Sequence, residues 1–497
     1  MSADSTAIRG GEIRRAGGHM EPRVARRVFG EKLATAVAGA ALFGLQPSCS
    51  FVQASRPMAQ LLREELAGTG DALHFEDAAR QAAAADFGKV VHRLPLAVFE
   101  PSSAEDVLHL VRFAKRRGLK LAIRGAGHSM FGDTQVDGGV VIDTSRMNSV
   151  RIISAFGRRV LEAGPGTLWG QVWDAAYREK LTPPVNVDQG LLSVGGIVST
   201  GGFGGTSWRD GLHVDHVLEL QVVTGHGELV TCSDERNRDL FNAALAGMGQ
   251  CGVIVKVVTS LVSAPTHVHF FVLSYPELQT AIADLTLLVK EGRFAHLDGR
   301  TRALPAGGFT YSLEAGAFFD APNAPSEAQL LAGLKFTSRT ASVMTYPEYY
   351  RRVPPLPPQF RPWLYLCLPA SRFLDYAGGV FASPAESAFA MPRFSIWRRS
   401  SFKRPLARVP NEDLVARLQL SRNPPATADI ASLVTMNRTL FERARDMGGT
   451  RLTTTAVPFT RADWPRHYGA AWEPFVAAKR RFDPNNVLTS TTGIFAA

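Results

Sequence analysis

Arg124-Gly125-Ala126-Gly127-His128-Ser129 (RGAGHS) is the stretch that decides how this chain folds. A strand-like run, Leu119 to Arg124, feeds straight into it, and Gly138-Gly139 turns the chain into a second strand, Val140 to Asp143. Glycines at 125 and 127 uncover backbone N–H groups in a tight loop, and such a nest can hold a diphosphate without side-chain charge. His128 closes the loop, where its ring can meet the ring of a cofactor. The plainer alternative is a glycine turn with an incidental histidine. A second cluster favours the cofactor: Gly195, Gly196, Gly201, Gly202, Gly204, Gly205 and Gly211 fall within 17 residues. Of the 45 glycines, 22 lie between Gly125 and Gly252, as expected where backbone runs along a large flat ligand.

The 497 residues carry 55 Lys+Arg against 45 Asp+Glu, a formal +10, with 45% hydrophobic and 20% charged residues. This balance excludes a largely disordered or fibrous chain. At ~150 residues per domain, the length suits two large or three ordinary domains. Four cysteines (Cys49, Cys232, Cys251, Cys367) exclude a disulfide framework and a Cys-rich zinc module; Cys232 and Cys251 read as small buried hydrophobes. Met391–Pro410 holds six cations and no acid. It reads as a solvated basic loop or entrance lip rather than a nucleic-acid surface, because no zinc-finger, RNP-type or basic-heptad pattern accompanies it. Arg26-Arg27 before the apolar run Leu33 to Leu45 has the pattern of a twin-arginine export signal. That run is shorter than the ~20 residues of a membrane span.

Residues 50–85 read as a helical, Ala-rich lead-in. A capping box, Ser102 with Glu105 or Ser103 with Asp106, opens a helix that Gly118 stops. Strands follow at 96–99, 119–124, 140–143 and 159–163, then a helix through Tyr177, a hairpin over Leu218 to Val230, a helix at 239–247 and a strand at 252–262. Ser263-Ala264-Pro265 marks a boundary, beyond which the glycines thin out and helices are expected near 276–291 and 325–335. Gly164–Gly170 (GPGTLWG) fails as a dinucleotide fingerprint, since Trp169 stands where the third glycine belongs. Walker A and H-E-x-x-H are absent, and His213 with His216 makes a poor metal site, so no metal is expected.

RGAGHS…GGVVID, AGPGTLWGQVWDAA, LLSVGG…STGGFGG, HVLELQVVTGHGELVTCS and DLFNAALAGMGQCGVIVKV together resemble the FAD-binding domain of the vanillyl-alcohol-oxidase, or PCMH-type, superfamily of FAD-linked oxidoreductases. Asp188 to Pro265, Arg361 to Phe373 and Asp463 to Leu488 resemble cytokinin dehydrogenases more narrowly. The resemblance spans roughly residues 86–495. It implies an α+β fold: a PCMH-type FAD-binding domain and a separate antiparallel-sheet substrate domain capped by helices. The divisions expected are 1–50 for the export signal and leader, 51–265 for the FAD-binding domain (core 86–265), 266–445 for the substrate domain, and 446–497 returning to the FAD domain.

The resemblance also implies FAD attached covalently through His128. Gly125, Ala126, Gly127 and Ser129, with the backbone from Ile123, would line the diphosphate and flavin. Ser193, Ser199, Phe203, Val253 and Thr492 stand at further flavin contacts. Asp188 matches an aspartate on the flavin N5 side, and a carboxylate in a largely apolar cavity can take an N–H proton while N5 takes the hydride. No cysteine precedes the VGG segment, so a single histidine link is expected. The chain departs from the family at Gln189 (usually Tyr), Thr491-Thr492 (Gly-Gln), Ala456-Val457-Pro458 (Tyr-Leu-Pro) and Asp133 (Gln), and these changes bear chiefly on the substrate.

The expected activity is oxidation of a secondary amine such as an N6-isoprenoid adenine, with oxygen or a quinone as electron acceptor. An alcohol or sugar oxidase of the same fold, with a polar pocket, is the near alternative. A non-catalytic ligand- or nucleic-acid-binding protein is the distant one. The expected partners are a small molecule, with no nucleic acid and no membrane span.

Overall fold

A computed structural model describes residues 56–357, 359–489 and 493–495. The twin-arginine segment and Thr491-Thr492 lie outside the described residues.

Three large sheets, and a small two-stranded one of Leu181–Thr182 with Val262–Ser263, organise the described residues. In the first, Ala97–Phe99, Val140–Asp143 and Leu121–Arg124 run parallel, with Leu73–His74 antiparallel at one edge. Parallel neighbours need a crossover, and Ala104–Arg117 supplies it as a helix. Ser103 caps that helix in a capping box with Asp106, and Gly118 ends it in the left-handed conformation at φ 66°. The alternative pairing of Ser102 with Glu105 does not form; Ser102 donates to Asp106 instead.

The second sheet is antiparallel, in the order Val150–Ala155, Arg158–Ala163, Gly252–Ser260, Val217–Thr224, Leu229–Ser233. Gly252–Ser260 is buried at every position but Lys256, which matches the apolar residues on either side of that lysine. Cys232 and Cys251 are fully buried, and burial pushes both thiols up to about 12.

The third sheet has eight antiparallel strands: Ser338–Thr345, His267–Tyr275, Phe309–Phe319, His296–Ala303, Ala390–Arg398, Leu414–Arg422, Leu364–Pro369 and Thr450–Arg451. Helices Leu278–Glu291 and Ala370–Ala382 pack on it, and Leu297, Phe394, Leu418 and Leu366 are buried in the core. Asp298, Arg300, Arg393, Ser395, Arg417 and Gln419 alternate with these apolar residues and share the opposite face.

The basic window corrects the expectation made for it. Ala390–Arg398 is a strand of this sheet, not a solvated loop. Arg393 pairs with Asp188 and Asp298, Arg404 is buried against Asp234 and the carbonyls of Val214 and Val217, and Arg398 donates to Val289 O. Arg393 and Arg404 are paired with acids inside the fold, and composition alone could not locate those acids.

The C-terminal segment returns to the first sheet. Leu121 N donates to Val487 O, and Thr489 N donates to Leu121 O, both at 2.9 Å. No helix among the described residues is long and apolar enough to cross a membrane.

Candidate active site

A cavity of about 420 Å³ is lined by residues of all three large sheets. Its floor is the loop Gly125–Ser129 together with Ser193, Gly195, Gly196, Ser199 and Gly202, and its roof is the polar face of the third sheet. The two glycine segments are fastened to each other. Ala126 N donates to Ser193 Oγ at 3.1 Å, and a Cβ on Gly125 would lie 2.0 Å from that oxygen. The amides of Gly127, His128 and Ser129 donate to no group among the described residues. Unpaired amides in a cavity-lining loop are what a diphosphate requires.

His128 is stacked on Phe87, with ring centroids 4.6 Å apart and an interplanar angle of 11°. Burial, then the charges of Arg361 and Arg124, push its imidazole down to about 4, so it is neutral across the physiological range. Neither ring nitrogen has a hydrogen-bond partner among the described residues. A neutral, unpartnered nitrogen facing a cavity retains a lone pair for bonding.

Ser129 lines the cavity, and its side chain also fastens the loop. Its hydroxyl donates to Asp86 Oδ2 at 2.9 Å, beside the amide of Gly132 at 2.7 Å, so this side chain holds the loop shut from behind. Val253 is buried in the apolar core, and its neighbours Gly252 and Ile254 line the cavity. Phe203 lines it edge-on to Tyr365, with centroids 5.9 Å apart. Thr492 lies outside the described residues.

Two glycines of the second cluster answer to the protein rather than to a ligand. A Cβ at Gly204 would lie 1.7 Å from Asn186 O, and one at Gly205 1.7 Å from His296 Nδ1. Leu297 N donates to Gly205 O at 2.9 Å, so these glycines let the loop dock on the third sheet. Composition signals close approach, but it does not say to what.

Asp188 lines the cavity, and a guanidinium stands beside its carboxylate. Arg393 Nη2 donates to Asp188 Oδ2 at 2.9 Å. Arg393 is anchored in turn on Asp298, which also receives Arg417 Nη2 at 2.6 Å and Ser395 Oγ at 2.8 Å. Burial opposes ionisation of Asp188, yet Arg393 and then Arg352 outweigh it and hold the carboxyl below its usual range. Sequence reasoning missed Arg393 because its partner lies 205 residues away.

Asp133 also lines the cavity. Its Oδ2 is sealed from solvent with no hydrogen-bond partner among the described residues. Burial, then the like charge of Asp86, push its carboxyl up to about 7, with Arg451 offsetting part of the shift. Ala456 and Val457 are buried in the core, whereas Gln189 lines the cavity. His213 packs edge-on to Trp169, and the described residues hold no cluster of potential metal ligands.

Solved structures share this architecture. 6-Hydroxy-D-nicotine oxidase from Arthrobacter nicotinovorans matches with a TM-score of 0.68 at 21% identity, over 84% of this chain and 96% of its own. Xylooligosaccharide oxidase from Myceliophthora thermophila C1 matches at 0.71 and 18%, over 87% and 98%. Residues 95–233 match the family described as FAD binding domain, and residues 308–495 that described as Cytokinin dehydrogenase 1, FAD and cytokinin binding. Fold and site thus define an FAD-dependent oxidoreductase of the PCMH type. An uncharacterized oxidoreductase of the fasciation locus of Rhodococcoides fascians is 33% identical, over 84% of this chain and 97% of its own. Cytokinin dehydrogenase 10 of Oryza sativa subsp. japonica is 30% identical, over 85% and 88%. The chain belongs to the cytokinin dehydrogenase family.

Proposed function

We propose that this protein oxidises a secondary amine of the N6-isoprenoid adenine kind, with FAD linked covalently through His128. The observation that carries the reading is one cavity with the unpartnered His128 ring at its floor and the Asp188 carboxylate on its wall. FAD held there supplies the hydride acceptor, the N5 of its ring. The amides of Gly127, His128 and Ser129 would hold its diphosphate, and the neutral His128 nitrogen is free to bond the flavin's 8α carbon. Asp188 is ionised at neutral pH, so it accepts the N–H proton as the adjacent C–H loses hydride. The substrate becomes an imine, and water converts that imine to a primary amine and an aldehyde.

A second reading, oxidation of a CH–OH donor, is favoured by the polar roof formed by Arg300, Thr301, Gln419 and Ser421. A dye-reduction screen separates the two, using isoprenoid adenines, aromatic alcohols and oligosaccharides with oxygen and quinones as acceptors. The amine reading predicts turnover of the adenines, and turnover of alcohols or sugars alone would replace it. We also propose export of the protein through Arg26-Arg27, the signal being the sequence pattern itself. Replacing both arginines with lysine should retain the protein in the cytoplasm of a bacterial host, and unchanged export would refute the assignment.

A further inference from the structure

Asp188 and Arg393 each have one unused polar atom. Arg393 spends Nε and Nη2 on Asp298 and Asp188, and Asp188 uses Oδ2 to receive Arg393. Asp188 Oδ1 and Arg393 Nη1 make no hydrogen bond among the described residues. Both residues line the cavity, with side chains 22% and 20% exposed. An acceptor and a charged donor therefore stand side by side, locked together by a 2.9 Å bond. The lock is rigid. Asp298 is held by Arg417 and Ser395, and Arg393 sits at a fixed register opposite Arg300 on one neighbouring strand and Gln419 on the other.

We propose that Asp188 and Arg393 form a single recognition edge, in which Arg393 donates to a ring nitrogen of the substrate next to the N–H that Asp188 accepts. The inference rests on the amine reading above and sharpens its substrate class to amidine-type amines, in which one carbon carries both the N–H and an sp² ring nitrogen. Two parallel hydrogen bonds then form, one charge-assisted from each side. An amine without that nitrogen leaves a guanidinium N–H facing an unmatched surface, and such an unmet charged donor is costly. Trp363, Tyr365 and Leu192 line the same cavity with the apolar surface a flat heteroaromatic ring needs.

Arg393 also sets the orientation of the carboxylate. Arg352, Asp298 and His296 also act on Asp188, and none of them donates a hydrogen bond to it. Arg393 is thus a positioning residue for Asp188 as well as a reader of substrate.

The test uses the holoenzyme with N6-benzyladenine and its 1-deaza and 7-deaza isosteres, each of which replaces one ring nitrogen by C–H. The expected result is a loss of at least about tenfold in kcat/KM for one isostere, with the other close to the parent. In Arg393→Met, the ratio of parent to affected isostere should fall to about one while flavin content is kept. A merely structural role for Arg393 would depress both substrates alike and leave the ratio standing. The isostere comparison on the unmodified protein covers the case in which the variant fails to fold. Parity of both isosteres with a well-used parent overturns this inference and leaves the amine reading intact. No turnover of the parent overturns both. Turnover of a reducing disaccharide instead assigns the edge to a hemiacetal and also overturns the ring-nitrogen assignment.

Discussion

At the scale of single residues, the chemistry depends on where charge is held. Asp188→Asn removes the proposed proton acceptor while leaving the flavin floor untouched. Turnover should fall by about 10²- to 10⁴-fold with flavin content unchanged, as read by dye reduction and visible absorbance. Asp133 behaves in the opposite way. Its carboxyl is held up to about 7 in the fold, against ~3.9 in an unfolded chain. The fold therefore binds this proton more tightly, and the stability it contributes is present below pH ~4 and lost as pH rises through 7. Asp133→Asn should accordingly gain on the parent apoprotein in urea unfolding at pH 8, by at least about 1 kcal/mol, with little difference at pH 4. His128, Asp188, Ser193 and Phe203 were legible in the sequence because each sits in a short motif with local spacing. Arg393 and Asp298 were not, because their partnership is written only in the register of the third sheet.

At the scale of elements, two fastenings hold the site together. Gly125 packs against Ser193, so Gly125→Ala should displace the RGAGHS loop and cut flavin incorporation. Removing the offending hydroxyl in Gly125→Ala/Ser193→Ala should restore part of it, which absorbance per polypeptide would show. Lys479 is the second fastening. Its Nζ donates to Asp483 Oδ2, Gln250 O and Leu488 O at 2.7 to 2.8 Å, all buried. Lys479→Ala leaves Asp483 as an unpaired buried charge and should cost about 3–5 kcal/mol in chemical denaturation. Strand and helix positions around the glycine loops were readable from periodicity and caps, as Ser103 and Gly118 illustrate. The glycine excess was read too narrowly, since Gly204 and Gly205 serve packing against Asn186 and His296. The cations of 391–410 were misread because charge density in one dimension carries no information about acids brought alongside in three.

At the scale of the molecule, a glycine-rich floor is set under the polar face of a sheet, in the fold of an FAD-dependent oxidoreductase. The floor follows from local sequence, so the class of protein could be read early. The roof is assembled from four strands spread over residues 296–422, so what it selects depends on side chains whose neighbours the sequence does not name. The proposed covalent link joins the neutral, stacked His128 ring to the cofactor. The most direct measurement is acid precipitation of purified protein, followed by peptide mass analysis. With that link, yellow colour stays with the polypeptide, the peptide containing His128 carries the mass of the flavin, and His128→Ala releases the colour to the supernatant. Flavin in the supernatant of the parent protein, with an unmodified His128 peptide, would contradict it.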